Sequence, residues 1–235
     1  MCTGRNLKSA GVWPSRWKNC NWLWSKGGAS SAPIYWQQKK VDFLNYLFHL
    51  YLAEPTEASL LGGLLGDFVK GRLDDRWPEA IRRGIERHRG IDSFAQGNAV
   101  ARRSLRRIDP SYRHCRSILV DVFYDHFLAR NWHHHADIPL EQFAQRFYRI
   151  LEKHHELLPP GLQRIALRMI AGRWLESYRD PETVEIVLQR LAGRLSRPTP
   201  LAQGGMELHR HYREFEQDFT EFLPQAVAHA RTLPA

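Results

Sequence analysis

Two short stretches, His88-Arg-Gly-Ile-Asp92 and Asp121-Val-Phe-Tyr-Asp125-His126, carry imidazoles and carboxylates at a spacing that chemistry can use. His88 and Asp92 are four residues apart, and so are Asp121 and Asp125. If both segments are helical, each pair projects from one face, one turn apart. Nitrogen and carboxylate donors without cysteine suit a hard divalent cation, Mn²⁺, Mg²⁺ or Fe²⁺, better than structural zinc. A cation so held lowers the pKa of a bound water and neutralises a phosphoryl oxygen. Phosphoester hydrolysis is the natural reaction class.

Two further residues belong beside these. Asp67 stands in the apolar run Leu64-Leu-Gly-Asp-Phe-Val-Lys70, where a buried charge is costly unless paired or bound to metal. It is expected to act as a ligand, or as a base orienting the attacking water; a carboxylate facing Arg72 or Lys70 is the plainer alternative. His49 lies in Asn45–Ala53, where a lone histidine is more often a hydrogen-bonded core residue. His126, about 100° round the helix from Asp125, either ligates or orients Asp125. His133-His134-His135 reads as a solvated turn, and His154-His155, His209 and His211 as amphipathic-helix positions. No Walker loop, GxGxxG, GxSxG or CxxC motif occurs, so nucleotide-cofactor, serine-hydrolase and thiol-redox chemistry have no anchor.

The elements that must position these groups are helical throughout. Asp42 can cap a helix ending near Glu54-Pro55, and Thr56 and Ser59 open one that runs to Gly71. Pro78 precedes a third, Glu79 to about Gln96. A short basic helix follows at Ala99–Arg107, then a long one from about Tyr112 to Asn131. Segments at about 139–157, 160–178, 181–194 and 205–230 keep apolar residues three and four apart, punctuated by Pro-containing breaks. No run alternates as a strand. The expected fold is all-α, a single-domain helical bundle.

Among the 235 residues, 43% are hydrophobic, enough for a sizeable core. Residues 1–40 differ in kind: five tryptophans lie among Ser, Gly, Lys and Asn without period, with seven Lys and Arg and no Asp or Glu. They read as a non-family extension joined by a misplaced translation start, with Val41 where a GTG initiation codon would stand, and residues 41–235 as the all-α domain. The formal charge of +9 is concentrated there, since the remainder holds 27 basic against 25 acidic residues. Nucleic acid is therefore not an expected partner. Lys70–Arg116 is the exception, with thirteen basic and six acidic residues, and suits an acidic partner as well as a solvated face. No run approaches the ~20 apolar residues of a membrane span. Cys2, Cys20 and Cys115 suggest neither a disulfide framework nor a thiolate site. A cytoplasmic protein is expected.

At these residues the chain resembles the acyl carrier protein phosphodiesterases, a family similar to the HD-domain phosphohydrolases. Asn45–Ala53 resembles the family's Asn-aromatic-Leu-Ala-His-Leu opening, with Phe48 for Ala. Gly62–Gly71 resembles Gly-Asn-Leu-Leu-Ala-Asp-Phe-Val-Arg-Gly, with Gly63 and Gly66 as departures. His88–Asp92 matches His-Arg-x-Ile-Asp, and Asp121–Trp132 matches Asp-Val-x-Trp-Asp-His-Phe-Leu-x-Arg-x-Trp with Tyr124 for Trp. Trp174–Asp180 and His211-Tyr212 to Phe222-Leu-Pro224 fit as well. No adjacent His-Asp pair occurs, so the chain departs from the HD signature itself.

The resemblance implies an HD-like fold, an Mn²⁺-type metal, and hydrolysis of the phosphodiester joining 4′-phosphopantetheine to a serine of holo-acyl carrier protein. On this reading His49, Asp67, His88, Asp92 and Asp121 hold metal. Asp67, Asp125 and His126 serve catalysis, and Arg83, Arg87 or Arg89 meet a phosphate oxygen or the acidic carrier protein. A nucleotide phosphohydrolase and a non-catalytic helical module binding acidic partners are the two rival readings.

Overall fold

Polar side chains set the helix starts much as their positions suggest. Thr56 accepts the Ser59 amide (3.2 Å), Asn98 accepts those of Val100 and Ala101, and Asp180 accepts that of Glu182. The computed structural model describes residues 46–193, 195 and 198–234, so the 1–40 extension, Val41 and the Asp42 cap lie outside the described residues. Eleven α-helices follow among the described residues. They are α1 (Tyr46–Tyr51), α2 (Glu57–Leu65), α3 (Glu79–Gly97), α4 (Ala99–Arg107), α5 (Cys115–Arg130), α6 (Leu140–Lys153), α7 (Pro160–Ala171), α8 (Trp174–Ser177), α9 (Pro181–Ala192), α10 (Gly205–Arg210) and α11 (Tyr212–Ala230). No strand occurs among the described residues, and the fold is all-α.

Several expected boundaries move. The second helix stops at Leu65 rather than Gly71, because Gly66 caps it and Phe68 and Val69 both turn back to the Leu65 carbonyl. Asp67 therefore sits in a turn, not on a helix. The 160–178 segment breaks at Gly172 and left-handed Arg173 (φ 48°), and 205–230 breaks at His211. Arg113, also at φ 48°, separates a 3₁₀ turn at Pro110–Tyr112 from α5. Trp132–His134 forms another such turn, with His133 and His134 exposed.

One contiguous core joins the helices. Leu47, Leu61, Ile85, Phe123, Phe127 and Phe215 are essentially sealed from solvent within it. Each such side chain stabilises by about 1.5–3 kcal/mol relative to exposure. α2 and α3 meet through glycine: a Cβ at Gly62 would lie 2.5 Å from the Gly84 Cα and 2.7 Å from the Ile81 carbonyl oxygen. This backbone-to-backbone approach brings the end of α2 alongside His88. No helix of the described residues is long and apolar enough to cross a membrane.

A buried carboxylate ties α4 to α11. Asp218 accepts from Arg103 (2.7 Å), Arg107 (2.8 Å) and the Ser104 hydroxyl (2.8 Å), and Ser104 in turn contacts the Tyr124 hydroxyl on α5. Burial would raise the pKa of Asp218, but Arg107, Arg103 and Ser104 overcome it and hold the carboxyl below its usual range. The depressed value contributes stability above the unfolded carboxylate pKa, and that stability is lost as pH falls through the folded one. Asp218→Asn is expected to cost about 2–3 kcal/mol near neutral pH, read as a shifted urea midpoint. The deficit should shrink as pH falls below the unfolded carboxylate value of about 3.9 and on through the lower folded one. A constant deficit across pH would mean that Asp218 acts through shape alone.

Candidate metal centre

His49 on α1 and His88 on α3 stack face to face, ring centroids 3.6 Å apart and planes 20° apart. Both rings are buried. His88 Nδ1 lies 2.7 Å from the Gly63 carbonyl, so it carries the proton and leaves Nε2 to face the site. Nε2 is 3.4 Å from Asp92 Oδ2 and 3.5 Å from Asp67 Oδ1. Asp92, one helical turn beyond His88, places its other oxygen 3.1 Å from His49 Nε2. Thus one carboxylate spans both imidazoles, and a donor atom from each of His49, His88 and Asp92 lies within 4.8 Å of the others.

His49 shows best what this cluster fits. Neither of its buried ring nitrogens makes an aligned hydrogen bond, despite the short approach to Asp92. Burial, and then the neighbouring His88, lower its pKa, so the ring is neutral. A neutral imidazole with an open nitrogen, beside a second imidazole oriented through a backbone carbonyl and a carboxylate, is a donor set for a divalent cation. Electrostatics point the same way. Asp121 is pushed well above the ordinary carboxylate range by burial and by Asp92, Asp67 and Asp125 around it. Such crowding of negative charge is relieved by a cation. His88 is opposed by burial, but Asp67 and Asp92 raise it to about 10, and His49 and His88 hold Asp92 below its usual range.

Beside the cluster opens a small cleft. His49, Asp92 and Asp121 supply its polar edge, while Phe48, Tyr124 and Phe222 are among its apolar walls. Asp92 is 38% exposed. Asp121 is wetted only through the cleft and is otherwise surrounded by protein, which reconciles its partial exposure with its strongly raised pKa. Asp67 faces the same His88 nitrogen as Asp92 and is buried from bulk solvent.

The remaining expected residues are placed differently. Asp125 is fully buried, and its two oxygens accept the Leu47 amide (3.1 Å) and the Phe48 amide (2.8 Å) in the first turn of α1. It thereby fixes the helix that bears His49. His126 donates from Nδ1 to the Tyr178 carbonyl and meets the Tyr212 hydroxyl through Nε2, both at 2.8 Å. Its two nitrogens are thus engaged toward α8 and α11, not toward Asp125.

The arginines also divide. Arg87, expected on a docking surface, is buried: it donates to the Leu52 carbonyl (2.9 Å), pairs with Glu54 (2.9 Å) and reaches the Leu233 and Pro234 carbonyls. Arg89 donates to the Val69 and Gly71 carbonyls and secures the segment after Asp67. Both are engaged with backbone carbonyls of the chain, Arg87 in a buried setting and Arg89 in a partly exposed one. Arg83 remains exposed, 4.0 Å from Glu79. Gly63, whose carbonyl orients His88, was not anticipated as part of the site; the adjacent glycines of Leu61-Gly-Gly-Leu64 were the available signal of close approach.

The sequence model of the acyl carrier protein phosphodiesterase family, described in those words, matches residues 44–226. The chain belongs to this family. The acyl carrier protein phosphodiesterase of Serratia proteamaculans is 34% identical over 189 residues, covering 80% of this chain and 98% of the relative. That of Klebsiella pneumoniae subsp. pneumoniae is 33% identical over 185 residues, covering 78% and 96%. That of Salmonella agona is 32% identical over 188 residues, covering 80% and 97%. No solved structure matches. The matched span encloses the cluster residues and the cleft walls.

Proposed function

We propose that this chain is a phosphodiesterase hydrolysing the 4′-phosphopantetheine–serine diester of holo-acyl carrier protein, with a divalent cation, Mn²⁺ first, held by His49, His88 and Asp92. The observation that carries the reading is the open, buried His49 nitrogen beside His88 and Asp92 at the cleft edge, in a member of this family. When bound, such a cation supplies a water of lowered pKa and neutralises charge on the phosphoryl group.

The chain's own residues do the rest. Asp67, 3.5 Å from His88 Nε2, holds the imidazole toward the site and takes the proton released by the attacking water. Water oxygen joins phosphorus as the bond from phosphorus to the serine oxygen breaks. Asp121 lines the cleft and is the carboxyl placed to deliver a proton to the departing serine oxygen. Asp125 keeps α1, and with it His49, in register. The products are apo-carrier protein and free 4′-phosphopantetheine.

Release of 4′-phosphopantetheine, followed by mass spectrometry, tests the whole reading. Chelator-treated protein is expected to lose at least ~90% of its turnover and to regain it with Mn²⁺. Undiminished turnover after rigorous chelation overturns the metal assignment. A nucleotide panel assayed in parallel, cleaved while holo-carrier protein is left intact, overturns the substrate assignment.

A further inference from the structure

We infer that the exposed face of α4 is where the carrier protein docks, through Arg102 and Arg106; this rests on the phosphodiesterase reading above. α4 carries four arginines, and residues 93–108 contain no acidic residue. The four are not equivalent. Arg103 and Arg107 point back to α11 and are consumed by Asp218, with Glu221 also engaging Arg103. Arg102 and Arg106 are exposed, and their side chains have no hydrogen bond or ion pair among the described residues.

Helical geometry places the free pair with respect to the cleft. Ala101 and Leu105 line it, and Arg102 and Arg106 each follow by one residue, about 100° round the same helix on the solvent side. The cleft's exposed rim lies here as well, with Gln96 at the end of α3 and Ser117 at the start of α5. Arg113, also exposed, and Arg116 extend the positive charge toward that start. Clamping by Asp218 keeps α4 rigid, so the free guanidiniums are presented on a fixed scaffold.

Two unpaired arginines at the rim of a phosphodiester site select a particular partner chemistry: a protein surface rich in carboxylates around its modified serine. Such complementarity acts mainly on encounter rate and orientation. By contrast Arg83, the one expected docking residue left exposed, already faces Glu79.

The test is Arg102→Glu/Arg106→Glu, with Arg102→Ala/Arg106→Ala as the milder variant and the exposed Arg164→Glu on α7 as control, each checked for an unchanged thermal midpoint. Steady-state turnover of holo-acyl carrier protein is measured, together with binding of fluorescently labelled apo-carrier protein, which needs no cleavage. The double reversal is expected to raise KM and the dissociation constant about tenfold or more, with kcat within about twofold and Arg164→Glu near wild type. Wild-type binding should weaken as salt rises, and the reversed variant should lose most of that dependence.

Unchanged KM and binding in the reversal would overturn the docking face, as would a fall in kcat alone. Carrier binding lost in the variant, but with no cleavage by wild type, would sustain the docking face and overturn the phosphodiesterase reading. Salt-sensitive capture of a random RNA duplex without carrier binding would overturn both.

Discussion

Asp92→Asn is expected to lower kcat/KM for holo-acyl carrier protein by about 10³-fold or more, with helicity unchanged. Asp92 is the one carboxylate that spans both imidazoles, 3.1 Å from His49 and 3.4 Å from His88. An amide keeps the shape but removes the charge and turns one acceptor into a donor, which is useless to a cation and repelled by it. The variant should also bind Mn²⁺ at least tenfold more weakly by titration. Activity above about a tenth of wild type would remove Asp92 from the site. Asp67→Asn and Asp121→Asn are expected to lose turnover too, but with Mn²⁺ binding better preserved, because neither belongs to the closest donor group.

Asp92→Asn has a second signature in the metal-free protein. His88 is raised to about 10 by Asp67 and Asp92 against the opposing effect of burial. A histidine raised in the folded state contributes stability that is fully present below the unfolded value of about 6.5 and is lost as pH rises through about 10. The metal-free wild type should therefore melt at progressively lower temperature between pH 7 and 10. In the Asn variant that slope should flatten, because one of the two carboxylates holding the proton is gone.

Gly62→Ala is the second large effect, and its sign is diagnostic. In an exposed helix interior, Gly to Ala stabilises by about 1 kcal/mol. Here the new methyl would lie 2.5 Å from the Gly84 Cα and 2.7 Å from the Ile81 carbonyl oxygen, with only backbone to give way. Forcing α2 from α3 is expected to destabilise by about 3 kcal/mol, read as a lower urea midpoint with an unchanged slope. Because Gly63 on α2 orients His88 and the turn after α2 carries Asp67, catalysis should fall further than the unfolded fraction accounts for. A midpoint equal to or above wild type would show that the crossing tolerates a side chain.

How far each feature was legible in the sequence depended on how local its cause was. The all-α fold follows from apolar spacing along single helices, and α4 occupies the expected Ala99–Arg107, where the structure shows a local cause, the Asn98 cap. Asp67 was misplaced onto a helix because what ends α2 there is partly remote: Gly66 caps it, but Arg89, 18 and 20 residues on, holds Gly71 and Val69.

The sequence by itself determined the chemistry available. Imidazoles and carboxylates one turn apart on apolar helices, in an ordered set of motifs, sufficed to name the residue types, the donor class and the family, since helical spacing converts directly into a shared face. Only the tertiary structure decided which groups meet. His49, four residues into α1, comes to lie on His88 through the Asp125 anchor and the glycine crossing of α2 with α3. The same packing turned His126 toward Tyr178 and Tyr212, buried Arg87, and left Arg102 and Arg106 exposed on α4. Those outcomes depend on contacts between residues dozens of positions apart, and no periodicity along the chain encodes them.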